Sequence, residues 1–343
     1  MNEAGQYRIS SPQYLRVRTP RRQGQVLSVR EHLPPDANDD PSLPLVVITY
    51  HPGFAAGSYE DRDYFELLTP LLFERCTGRF RLRAFTVNHP GYDLPDSFKV
   101  DRFDMDTYSI RYQPLIIEQV LRWLVLDRFA GEKEILLIPY GHSMGGVALA
   151  RTNTQRLLAA TDRQGCRVQV QKVLSAPAFV LQENLRRNLS KVMALKALKL
   201  TVGRAPLYER ITKALFNSLA PIVYRHDAGN YMLNPDCTFP DFRQYDPFVL
   251  LDQGLELLKL SFNHERMAAL LNGSHLILST EDGMVNSAAL RAAAEHANAG
   301  RNPGSSAAVR VHTVASSHNA ERDDPQLIRE SLCTIVHSLA EAG

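Results

Sequence analysis

The sequence predicts an α/β protein: a mostly parallel central sheet flanked by helices, with a helical insertion late in the chain. Three observations carry this. Apolar, β-branched runs of strand length alternate with amphipathic stretches of helix length, the pattern of parallel strands joined by crossover helices. One of those runs, Ile135–Ile138, leads through PYGHSMGG (Pro139 to Gly146) into the small, apolar run Val147–Ala150, a strand, a sharp turn and a helix. The alternation lapses near Val180 to Asn272 and then resumes, as expected of an insertion between two core strands.

Taken in order, Gln13 to Arg18 and Gln25 to Leu33 alternate apolar and polar residues around a TPRRQG turn, an antiparallel pair at a sheet edge. Pro34 to Pro44 is rich in proline and aspartate and reads as loop. Leu45 to Tyr50 is a nearly continuous apolar run, so a central strand buried on both faces, and it ends in HPGFAAGS. A helix follows from about Tyr64 to Cys76, then a strand, Leu82 to Val87, ending in NHPGYDLPDS. Pro114 opens a helix running to about Phe129, with Ile117, Val120, Leu121 and Leu124 on one stripe.

After the PYGHSMGG turn, Arg167 to Leu174 forms a strand that leads into SAPAF. The resumed alternation gives a strand His275 to Ser279, a helix near Ser287 to Ala297, a strand Val309 to Val314 and a last helix near Pro325 to Leu339. The expected organisation is therefore a core of residues 1–179 and 273–343, split by a helical cap of residues 180–272.

Composition bounds the function. The 343 residues are 44% hydrophobic with a net charge of +2, enough for a large core and no case for nucleic-acid binding. Cys76, Cys166, Cys237 and Cys333 are scattered, without metal-ligand spacing, and read as thiols of a reducing compartment. The polar start, MNEAGQYRISSPQ, has no apolar signal core, and no run approaches the ~18 apolar residues of a membrane span. A cytoplasmic location is the expectation. No ligand cluster or phosphate loop points to a metal or nucleotide cofactor.

Gly141, Ser143 and Gly145 fit the G-x-S-x-G nucleophile elbow, whose strained serine needs neighbours that are nearly free of side chain. A serine hydroxyl also needs a base and a group to orient it. In a parallel sheet these come from loops at the carboxyl ends of strands. STEDGMVN supplies Asp282 and ASSHNAERDDP supplies His318, in the chain order Ser, Asp, His. His312 lies within a strand body and is a poor candidate for the base.

On GHSMGG and the Asp282 and His318 loops, the chain from His51 onward resembles the α/β-hydrolase-fold serine hydrolases of the esterase, lipase and thioesterase kind, with an inserted cap. STEDGMV resembles the acid loop of that family, although Ser279 stands where glycine is common, and Glu281 is a rival for the acid. The resemblance implies that Ser143 attacks an acyl carbon, His318 takes its proton, and Asp282 fixes the histidine tautomer. It also implies an oxyanion hole from the Met144 amide and one amide of the HPGF loop. Where the family often has His-Gly-x, this chain has Pro52, which has no N–H, so Phe54 is the first choice and Gly53 the second. His51 is a candidate substrate contact; His89 and Tyr92 lie on a loop expected to rim the pocket, where the bland reading is a structural role in that loop and the sharper one is substrate contact. His142 within the elbow is expected to pack.

Between Leu181 and Leu219 lie Arg186, Arg187, Lys191, Lys196, Lys199, Arg204, Arg210 and Lys213, opposed only by Glu183 and Glu209. The bland reading is a cap with one solvated face; the sharper one is a surface for anionic lipid, coenzyme A or an acidic carrier protein. The expected activity is hydrolysis of a carboxylic ester or thioester in a small-molecule substrate that is acyl or otherwise hydrophobic. The alternatives are acyl transfer or cyclisation with the same triad, or a non-catalytic small-molecule receptor. Ser143 argues against chemistry that starts from an elbow aspartate.

Overall fold

The computed structural model describes residues 8–20, 23–33, 40–54, 65–76, 78–92, 109–162, 165–183, 210–211, 214, 247–260, 262–302 and 305–341. Its centre is a ten-stranded sheet. The strands are β1 (Arg8–Ile9), β2 (Gln13–Arg18), β3 (Gln23–Leu33), β4 (Leu45–His51), β5 (Arg81–Val87), β6 (Glu134–His142), β7 (Arg167–Val170), β8 (Val173–Ser175), β9 (His275–Ser279) and β10 (Arg310–Val314). Along the sheet the order is β1-β3-β5-β4-β6-β8-β9-β10, with β2 on β3 and β7 on β6. From β5 to β10 every pairing is parallel, and β3 joins β5 antiparallel. The carboxyl ends of β4, β5, β6, β9 and β10 therefore lie on one side of the sheet.

The apolar runs explain the layering. Every residue of β4 is buried. Leu45 and Val47 belong to one apolar cluster and Val46 and Ile48 to the other, because successive strand side chains point to opposite faces. Strand β6 divides in the same way, with Ile135 and Leu137 on one side and Leu136 and Ile138 on the other. A strand without polar alternation is what a sheet covered on both faces requires.

The covering helices are α1 (Leu68–Cys76), α2 (Gln113–Trp123), α3 (Ser143–Ala150), α4 (Gln155–Asp162), α5 (Pro247–Lys259), α6 (His264–Leu271), α7 (Ser287–Asn298), α8 (Ala320–Asp323) and α9 (Pro325–Glu341). Three details depart from expectation. The helix expected to reach Phe129 gives way after Trp123 to a π-helical turn, Leu124–Arg128, closed by the Phe129 amide donating to the Leu124 carbonyl at 2.9 Å. The single strand expected over Arg167 to Leu174 is two, β7 and β8. At the break the Gln171 amide still reaches the Leu137 carbonyl, 2.9 Å, while its side chain donates to the Gly273 carbonyl, 2.7 Å. Helix α4 was not anticipated.

Most of the stretch expected to form the cap, and seven of its eight basic residues, lie outside the described residues; Arg210 is described and exposed. Helices α5 and α6 do lie within that stretch, and α6 packs against α7 of the core. Among the described residues no helix is long and apolar enough to cross a membrane.

Candidate active site

The end of β6 becomes the first turn of α3 without a linker, and Ser143 at the junction has φ 51°. That left-handed conformation is unfavourable for a serine and persists only where the surroundings enforce it. The neighbouring glycines show the enforcement. A Cβ on Gly145 would stand 2.1 Å from the His51 carbonyl oxygen and 2.6 Å from that of Pro52. A Cβ on Gly141 would stand 2.7 Å from the Gly145 carbonyl oxygen. Only glycine lets strand, helix and the β4 exit approach this closely.

His318 lies four residues past β10 and Asp282 three past β9. The structure brings them together: His318 Nδ1 is 2.9 Å from Asp282 Oδ2 and 3.1 Å from Oδ1, with both side chains buried. Asp282 Oδ1 also accepts the amides of Met284 and Val285, each at 2.8 Å. Burial pushes this carboxyl up. The His318 imidazole and those two amides outweigh it, so its pKa falls below the ordinary aspartate value. With Nδ1–H donated to Asp282, the lone pair of the neutral His318 ring sits on Nε2. Glu281, the rival acid, is exposed, and its amide donates to the Ser316 carbonyl, 3.1 Å.

His318 also rests against the elbow. His142 Nε2 donates to the His318 carbonyl, 2.9 Å, and the two rings are 4.8 Å apart. Burial lowers the His142 pKa, so this imidazole is neutral at pH 7. Its expected packing role thus includes a hydrogen bond.

The HPGF loop closes on the same point. A Cβ on Gly53 would lie 3.0 Å from His142 Nδ1 and 3.1 Å from Ser143 Cβ, so the loop backbone runs directly over the serine. Phe54 is half-buried, and its ring lies under Gly254 of α5, where a Cβ would be 3.4 Å away. Met144, the other candidate amide donor, is fully buried in the first turn of α3.

The three candidate substrate contacts are all buried and engaged with protein groups. His51 Nε2 lies 3.0 Å from Thr49 Oγ1. His89 Nε2 donates to the Pro52 carbonyl at 2.6 Å, and its ring meets Tyr92 edge-on. Tyr92 donates to Gln253 Oε1 of α5, also at 2.6 Å. Burial lowers the pKa of His51 to about 3 and that of His89 to about 4, so both rings are neutral. His89 braces the HPGF loop and Tyr92 ties the β5 exit to α5.

Two contributions were not foreseen. Glu256 of α5 accepts the Ile110 amide, 2.6 Å, and the Ser109 hydroxyl, 3.0 Å, which anchors α5 to the core beside the Tyr92 contact. Glu321 of α8 is fully buried and accepts the Tyr140 hydroxyl. Neither carboxylate has a local signature, because its partners are more than 140 residues away in the chain.

No family model matches the chain, and no curated protein matches it. Solved structures do. A peroxisomal α/β-hydrolase of Saccharomyces cerevisiae is 10% identical over all of this chain and 91% of its own, with a TM-score of 0.54. An E-2-(acetamidomethylene)succinate hydrolase is 17% identical over 95% of this chain and 100% of its own, TM-score 0.49. The thioesterase domain from the curacin biosynthetic pathway is 11% identical over 95% and 100%, TM-score 0.48. At these identities likeness concerns architecture alone, and with the sheet order above it is plain: the chain has the α/β-hydrolase fold.

Proposed function

We propose that the protein is a serine hydrolase that cleaves a carboxylic ester or thioester through an acyl-enzyme on Ser143. The observation that carries this is the pairing of a strained elbow serine with a buried His318–Asp282 couple held against the same elbow. Ser143 Oγ attacks the acyl carbon while His318 Nε2 takes its proton, and the imidazolium then protonates the departing alkoxide or thiolate. Asp282, ionised, stabilises that imidazolium through Nδ1. In the second half a water loses its proton to His318, attacks the acyl-enzyme, and Ser143 leaves with the proton.

The oxyanion of each tetrahedral intermediate needs two preset donors. The Met144 amide, at the positive end of α3, is one. For the second, peptide geometry favours Phe54. The Pro52 carbonyl accepts from His89, and a Cβ on Gly145 would lie only 2.6 Å from it. In a trans peptide the following N–H points the opposite way, which turns the Gly53 amide away from α3. The Phe54 amide is one peptide further on and is not bound by that constraint.

The half-buried Phe54 ring beside α5 supports a hydrophobic acyl substrate. Turnover of p-nitrophenyl esters of increasing chain length, set beside matching acyl-thioesters, tests the activity and ranks the substrates. The expected result is release of nitrophenol or thiol by the wild type and none above background by Ser143→Ala. Equal rates in the two proteins would refute the assignment. The basic residues of the cap stretch support a separate, subordinate reading as contacts for anionic acyl carriers. Reversing three of them is expected to slow thioesters of such carriers and spare a small neutral ester.

A further inference from the structure

Strand β6 presents Tyr140 and His142 on one face and Gly141 on the other, since side chains two apart share a face. The glycine face receives α3. The other face receives the polypeptide that follows His318. The Tyr140 hydroxyl donates to Glu321 Oε1, and the second carboxylate oxygen, Oε2, lies 3.9 Å from His142 Nε2. That same Nε2 donates to the His318 carbonyl, 2.9 Å. Tyr140, His142 and Glu321 are all 1% exposed or less. A carboxylate in such a place is costly to bury unless its neighbours fix it. Glu321 belongs to neither the nucleophile nor the acid that His318 contacts.

We propose that Glu321 is a positioning residue for His318. With Tyr140 and His142 it clamps the segment His318–Glu321 to the strand that delivers Ser143, so base and nucleophile are set by one element. The proposal rests on the assignment of Ser143 and His318 as nucleophile and base. Its mechanism is geometric: the carboxylate accepts a hydrogen bond from the Tyr140 hydroxyl, and no proton is transferred. Short helix α8 then fixes the segment's direction, through the Arg322 and Asp323 amides donating to the Asn319 carbonyl at 2.9 and 3.0 Å. The Ser317 amide, capped by Asp323 Oδ2 at 2.8 Å, holds its other end.

The test is a double-mutant cycle read as the rate constant for phosphonate modification of Ser143, per folded molecule. Glu321→Gln keeps an oxygen for Tyr140 and loses the charge. It is expected to slow modification about tenfold in the wild-type background and less than about twofold in His318→Ala, because its effect passes through His318. An unchanged rate in the first background, or equal losses in both, overturns the proposal; equal losses are what a merely structural role produces. Should Glu321→Gln fail to fold, Tyr140→Phe, which removes one hydroxyl, is read in the same cycle with an expected loss of about threefold.

Hydrogen exchange at the amides of residues 317–323 gives an answer independent of any reaction. Faster exchange confined to that segment in either variant supports the clamp, and unchanged exchange overturns it. If wild-type protein takes no adduct, the assignment of Ser143 fails while exchange still decides the clamp.

Discussion

Two histidine–carboxylate pairs lie side by side at the end of the sheet, and they differ in which nitrogen they spend. His318 gives Nδ1 to Asp282, at 2.9 Å, so its basic lone pair is on Nε2. His142 gives Nε2 to a backbone carbonyl, with Glu321 3.9 Å from the same atom. Both rings are buried. What separates the proposed base from the strut is which ring nitrogen donates, not burial or the presence of an acid. The carboxylates differ too. Asp282 is tuned by two amides and an imidazole, whereas Glu321 accepts a tyrosine whose own pKa rises through burial and the adjacent negative charge.

The largest expected effect tests that difference directly. Asp282→Asn leaves the shape intact but favours the wrong tautomer of His318, and is expected to lower kcat/KM by about 10⁴-fold. Glu321→Gln is expected to lose only about tenfold. Comparable losses in the two variants, measured on one ester, would erase the distinction between the pairs.

Next is the shared support of both pairs. Gly145→Ala places a methyl 2.1 Å from the His51 carbonyl oxygen, a backbone atom that cannot rotate aside. It is expected to cost about 3 kcal/mol of stability, read as a lower thermal midpoint, with activity lost alongside. Gly165→Ala meets no atom within 4 Å but has φ 72°, so it is strained without crowding and is expected to cost less, about 1 kcal/mol. A reversed order would mean that the elbow is not packed as described.

Acid comes third. His51, His89 and His142 are depressed below the ordinary imidazole value by burial. Between about pH 6.5 and about 4 the unfolded chain therefore binds protons that the native chain refuses. Stability is full above about pH 6.5 and falls as pH drops through this window, which thermal midpoints at pH 7.5, 6 and 5 will show. The depressed Asp282 acts in the same direction at lower pH. A midpoint that rises on acidification contradicts the neutral assignment of His142, and with it the strut.

The smallest effect is a gain. Ser143 has φ 51°, so Ser143→Gly relieves strain and is expected to raise stability by about 1 kcal/mol while abolishing turnover. An unchanged or lower midpoint would remove the evidence that the serine is held under strain.

Much of the fold was legible because its strongest signals are local. Continuous apolar runs named β4 and β6, and the Gly141 and Gly145 spacing named the elbow between them. Asp282 and His318 were candidates because sheet topology says where such residues must stand, and the structure pairs them. The break between β7 and β8 was not, since it depends on Gln171 bonding to Gly273, 102 residues away. Short α4, QRLLAATD, carries too little periodicity to stand out from the loop around it. Glu321 looked like one more charge in ASSHNAERDDP, and only folding brings Tyr140 to it. His89 and Tyr92, candidates for the pocket rim, have polar atoms bonded to Pro52 and Gln253, partners that no local pattern announces.

The central claim is that Ser143 is a nucleophile whose reactivity depends on His318. Treating the folded protein with a serine-reactive phosphonate and mapping the adduct by mass tests it most directly. One adduct is expected, on Ser143, in the wild type, and only slow residual modification in His318→Ala over the same time. No adduct on folded wild type, or an adduct on Ser143 that forms as fast without His318, would contradict it.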